Sequence, residues 1–187
     1  MVDGRAEIFE RLVRAHQDRV FNFCFRMLGS REEALDLAQE TFASVYLNLE
    51  GFRQDSLLST WILKIAKNLS LNRMKYLRRR GSGRSAELTS VPEAELHQSQ
   101  PGAIGAQEAL EVADERAAVQ AAIAELPEEQ RLLVVLRDIE GLSYTDIAQV
   151  AELPEGTVRS RLHRAREKLA QLLEKREVDG GTKSSAV

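Results

Sequence analysis

The amino-acid sequence predicts an all-α protein, built as two small helical domains joined by a flexible acidic linker. Apolar residues recur at helical spacing before residue 80 and again after residue 108. Between these stretches, 81–106 carries Gly81, Gly83, Pro92, Pro101, Gly102 and Gly105 among Ser, Gln and Glu, with too little apolar surface to form a core. The 187 residues include only 11 Gly, 4 Pro and 5% aromatics, a composition that leans towards helix.

Each element follows from its own pattern. Ile8, Leu12, Val13, Val20, Phe23, Met27 and Leu28 line one face of a helix from Glu7 to about Leu28, which Gly29 ends. Ser30 followed by Glu33 reads as a capping box, opening a helix over 31–49 with Ala34, Leu37, Ala38, Phe42, Val45, Tyr46 and Leu49. A third helix runs from about Leu57 through Trp61, Ile62, Ile65, Ala66, Leu69 and Leu71 to Arg80. These three make a first domain, 1–80, and 81–107 is the linker. The second domain, 108–176, begins with a helix to Glu125, and Leu126-Pro127 then leads into a helix over 128–139 closed by Gly141. In SYTDIAQVAEL, 143–153, Ser143 is the expected N-cap of a short helix and Asp146 takes the capping-box position. Pro154 opens a last helix to about Lys175, and the tail 177–187 is expected to be disordered.

Charge is sorted along the chain although the whole carries only −3. Residues 53–84 hold nine cations and one acid, whereas 85–130 hold ten acids and Arg116 as the lone cation. Cations then crowd again into LPEGTVRSRLHRAREKL, 153–169. Two basic zones separated by an acidic one suggest two contacts with a polyanion. No apolar run approaches the roughly 20 residues of a membrane span, so no membrane insertion and a cytoplasmic location are expected. Cys24, the only cysteine, excludes an internal disulfide and a Cys-based zinc site. His16, His97 and His163 are scattered and there is no Gly-rich phosphate loop, so neither an enzyme nor a cofactor is expected.

The short helix at 143–150 and the helix after Pro154 form a helix-turn-helix. Val158, Leu162, Ala165 and Leu169 fall on one stripe for Ile147 and Ala148 to face. Burying that stripe leaves Arg159, His163 and Arg166 outward, Ser160 and Arg164 beside them, and Arg161 and Lys168 on the flank. A helix fits the major groove, where Arg can grip guanine O6 and N7 with two hydrogen bonds. Flanking cations neutralise phosphates, and Thr157 with the free N–H groups of the helix start suits a phosphate oxygen.

At this point LPEEQRLLVVLRDIEGLSYTDIAQVAELPEGTVRSRLHRAREKL, 126–169, resembles the promoter-binding region 4 of bacterial extracytoplasmic-function (ECF) sigma factors. DLAQETFASVYLNLEGFRQDSLLSTWILKIAKNLSLNRMK, 36–75, is similar to their region 2. The resemblance implies a −35 contact through Thr157, Arg159, Ser160, His163, Arg164 and Arg166. It also implies that 50–60, with Phe52 and Arg53, is the loop that captures a flipped base of the −10 element. Trp61, Lys64, Asn68 and Asn72 stand on the adjoining helix. Asn68 and Asn72, at i, i+4, can hydrogen-bond an unpaired base while Lys64 tracks its backbone. Trp61 and Phe52 read equally as core. Asp36, Gln39, Glu40 and Phe42 would dock on the largest subunit of core RNA polymerase. The implied partners are core RNA polymerase, promoter DNA and an anti-sigma factor. The competing reading is a free-standing helix-turn-helix regulator, which accounts for 126–175 and leaves the basic zone at 51–80 unused.

Overall fold

The computed structural model describes residues 4–52, 57–80 and 106–181. Arg53 and residues 81–105 of the expected linker 81–107 lie outside the described residues, and Ala106 and Gln107 already belong to the helix that follows. Helix α1 is Gly4–Leu28, α2 Arg31–Asn48 and α3 Leu58–Arg80, with a 3₁₀ turn at Leu49–Gly51. These three pack on one another around Val20, Phe23, Met27, Leu37, Val45, Ile62 and Leu63, all at most 1% exposed. Ser30 caps α2 by accepting the Glu33 N–H at 3.4 Å. The Glu33 carboxylate, expected to reach back to Ser30, instead pairs with Arg73 on α3. Arg73 also holds Glu40 at 2.5 Å, so one guanidinium ties α3 to two turns of α2.

Phe42, which stands both in the apolar repeat of α2 and among the residues the resemblance assigns to polymerase docking, is buried at 9% and so belongs to the seam rather than to an outward edge. It sits one turn after Ala38 on the face turned to the core, and burying a phenyl ring is worth more than leaving it wet. Cys24 is fully buried on α1, and burial pushes its thiol up to about 12. That is the behaviour of a small core residue.

The second domain comprises α4 (Ala106–Glu125), α5 (Glu128–Val134), α6 (Tyr144–Ala151) and α7 (Glu155–Gly181). The helix expected over 128–139 is α-helical only in its first half. Val135–Ile139 forms a π turn, in which the Glu140 N–H reaches Val135 O at 2.9 Å. Gly141 follows at φ 68 with open space where a Cβ would stand, so its conformation is what requires glycine. Helix α7 continues past the expected end near Lys175 to Gly181, so 177–181 of the tail expected to be disordered are helical, and 182–187 lie outside the described residues.

Ser143 caps α6, accepting the Asp146 N–H at 3.1 Å while its hydroxyl donates to the Asp146 carboxylate at 2.5 Å. Ser143→Ala should cost about 1 kcal/mol. A urea midpoint unchanged within error would show that the cap is dispensable.

The two domains rest against each other. Helix α1 meets α4 and α5, and α3 meets α6. Arg131, 9% exposed on α5, donates to Met27 O at the end of α1 at 2.5 Å, and to Ala124 O and Leu126 O at the end of α4. Arg19 on α1 pairs with Glu140 at 2.6 Å, and Lys64 and Lys67 on α3 both reach Glu152. Arg26 donates to Gln120 at 2.8 Å. Among the described residues no helix is long and apolar enough to cross a membrane.

Candidate nucleic-acid interface

Helix α7 is presented as its apolar stripe dictates. Val158, Leu162 and Ala165 are at most 1% exposed, and they share the core with Ile147 and Val150 of α6. Arg159, Ser160, His163, Arg164 and Arg166 are therefore exposed, with Thr157 half-buried at the first turn. The stripe and the basic face are two consequences of one periodicity.

Electrostatics divides that face. Arg159 pairs with Glu155 at 2.6 Å and lies over the Tyr144 ring at 4.7 Å, a cation–π contact. The Glu155 hydrogen bond raises the Arg159 guanidinium above its ordinary value, and the same bond lowers Glu155. Arg166 Nε donates to Asp138 Oδ2 at 3.1 Å. Asp138 stands within the π turn, so that irregularity supplies the acid opposite Arg166. Arg161 is held by Glu129 at 2.6 Å. Among the described residues Arg164 and Lys168 carry no ion pair, which leaves two cations free to meet DNA. Each paired arginine must exchange a carboxylate for DNA, an isocharge swap that costs little in water.

The −10 candidates separate into two groups. Trp61 and Asn68 line a cleft of about 420 Å³ with Ser44, Asn48, Gly51, Ile65 and Leu69. Phe52 closes on Trp61 at 5.1 Å between ring centroids. Lys64 is not among the lining residues and pairs instead with Glu152 at 3.1 Å, and Asn72 is exposed outside the cleft. Ser44 and Asn48, on α2, were not anticipated from the sequence. Their i, i+4 spacing was visible, but nothing in it showed that α3 would face them. Asn48 presently donates to Ser44 O at 2.8 Å. On the other edge of α2, Asp36, Gln39 and Glu40 are exposed.

Lys67 was also missed. It is 5% exposed, and a buried ammonium needs a partner, which Glu152 supplies at 2.8 Å. Glu152 closes α6 in the left-handed conformation, φ 58, the only non-glycine residue with positive φ among those described. Hydrogen bonds from Lys67 and then Lys64 hold its carboxyl below the usual carboxylate range. Glu140 moves oppositely: burial raises its carboxyl, against the pull of Arg19.

Residues 12–81 match the Sigma-70 region 2 family and residues 116–169 match Sigma-70, region 4. The chain is 33% identical over 178 residues to the ECF RNA polymerase sigma factor SigW of Bacillus subtilis, covering 91% of each. It is 37% identical over 174 residues to the RNA polymerase sigma-H factor of Pseudomonas aeruginosa, covering 91% of this chain and 89% of that one. Among solved structures it is similar to the sigma factor RpoE of Bartonella quintana in complex with the anti-sigma factor NepR. That match has a TM-score of 0.69 and 24% identity, covering 90% of this chain and 98% of the other. It is also similar to CnrH in complex with the cytosolic domain of CnrY, with a TM-score of 0.63 and 25% identity over 93% and 91% of the two chains. The chain belongs to the extracytoplasmic-function sigma factors of the sigma-70 family.

Proposed function

We propose that this sigma factor binds core RNA polymerase, reads the −35 element as closed duplex with α7 and holds a separated −10 strand along α3. The observation that carries the reading is the open basic face of α7 above a fully buried seam. Thr157, Ser160 and His163 would meet phosphate or base edges, with Arg159, Arg164 and Arg166 as the direct readers. In the −10 module, a flipped base would enter the cleft at Trp61 and Asn68, stacking on the aromatic pair and bonding the amide, with Arg53 and Asn72 flanking the strand. Such capture offsets part of the unstacking cost, on the order of a few kcal/mol per step. The protein thus directs melting, and no covalent chemistry is asked of it. Asp36, Gln39 and Glu40 form the polymerase edge of α2, which Phe42 supports from beneath. An anti-sigma partner is proposed from the likeness to the sigma factor RpoE in complex with the anti-sigma factor NepR and to CnrH in complex with the cytosolic domain of CnrY.

The test is promoter-specific transcription with purified core enzyme. Tight core binding without a transcript from any candidate promoter would defeat the reading. Within the same assay, Arg159→Ala should relax preference at one −35 base pair by about 1–3 kcal/mol. Lys168→Ala should weaken all promoters about equally and reduce the salt slope by about one. Equal, sequence-blind losses from both would mean that another face reads the bases.

A further inference from the structure

The described arrangement cannot engage both promoter elements at once. By their labels the −35 and −10 elements lie about 25 base pairs apart, ~85 Å of duplex at about 3.4 Å per pair. That length is short beside a persistence length of about 500 Å, so the DNA will not fold back cheaply. Yet α3 and the turn that leads into α7 are joined by the Glu152 ion pairs, at 2.8 Å to Lys67 and 3.1 Å to Lys64. The domains must part for the proposed function to occur.

We infer that Glu152 is an internal stand-in for a DNA phosphate: it occupies the Lys64–Lys67 cation site on α3, holds the molecule closed, and is displaced when a strand binds there. The inference rests on the proposed assignment of α3 to the −10 strand. Three features support it. A left-handed residue is ordinarily Gly or Asn; at Glu152 the backbone N–H caps α6 by donating to Ala148 O, a bond that Gly or Asn would make as well. What the Glu side chain adds is distant, a bond to two ammonium groups on the other domain. One of these, Lys67, has a side chain only 6% exposed, whereas the Glu152 side chain is 54% exposed and open to exchange. The rest of the junction is rich in polar contacts: Arg19 to Glu140, Arg26 to Gln120 and Arg78 to Glu128. Polar character of this kind marks domain interfaces that separate.

The closed form thereby lowers the apparent affinity of α3 for a strand by the fraction of molecules that are open. Two part-exposed ion pairs account for about a tenfold effect.

The test uses the full-length free chain with Glu152→Gln, which removes the charge, and Glu152→Gly, which removes it while relieving the left-handed turn. The second variant should fold at least as well as the parent, so lost structure cannot be mistaken for opening. Small-angle scattering at low salt should give both variants a larger radius of gyration than the parent. The parent should swell towards them as NaCl rises. Both variants should bind an all-thymidine oligodeoxynucleotide about tenfold more tightly. Promoter-directed transcription with core enzyme should persist in both. Variants with the parent's radius and oligonucleotide affinity would overturn the inference. A parent that gives no transcript from any promoter would instead overturn the proposed function, while scattering still decides the closure.

Discussion

Replacing Arg131 with Met is expected to lower the unfolding free energy by about 2–4 kcal/mol. Its guanidinium serves carbonyls at two helix ends, Met27 O on α1, Ala124 O on α4 and Leu126 O just after α4. Met27 O and Ala124 O lie among the last carbonyls of their helices, which have no intrahelical donor, and a cation there also favours the helix dipole. Burial lowers the Arg131 guanidinium from its ordinary value, but arginine stays charged at any working pH. Methionine fills much of the volume and leaves all three carbonyls without this donor. Urea unfolding followed by circular dichroism measures the total. Trp61, the single tryptophan, reports on α3. A loss below about 1 kcal/mol would mean that water replaces the guanidinium without penalty.

Leu162→Ala is expected to cost about 2–5 kcal/mol. Leu162 is 1% exposed in the middle of the stripe that α7 shares with α6. Truncation leaves a cavity beneath the reading face, since a short α6 has little freedom to collapse into it. Transcription from a −35-dependent promoter should fall at temperatures where the variant is partly unfolded and recover on cooling. Arg159→Ala, exposed on the same helix, should change stability by less than about 0.5 kcal/mol while altering specificity. If Leu162→Ala proved as harmless to stability, the buried seam would be misassigned.

These two residues also mark how much could be read from the sequence. Leu162 was legible because Val158, Leu162, Ala165 and Leu169 repeat at helical spacing, and a local repeat predicts a local face. Ser30 and Ser143 were legible as caps for the same reason. The all-α class followed from such short-range patterns, and the two family regions from the resemblance carried by 36–75 and 126–169. Arg131, Lys67 and Glu152 were not legible, because the bonds they make span 104 and 85 residues of sequence. No periodicity connects such positions. Phe42 was read both as seam and as docking edge because an amphipathic helix has flank positions, and only the packing of neighbours decides which flank is dry. The π turn at Val135–Ile139 was hidden because its composition is that of an ordinary apolar helix. Ser44 and Asn48 gained meaning only when α3 was seen to face them across the cleft.

Cys24 gives the molecule a built-in clock. Its sulfhydryl is the only one in the chain, lies at 0% exposure and stays protonated, so an alkylating reagent can reach it only when the α1–α3 bundle opens. The rate of iodoacetamide labelling therefore counts those openings directly. Oxidative stress, for its part, can act through this cysteine only on molecules that have already lost their fold.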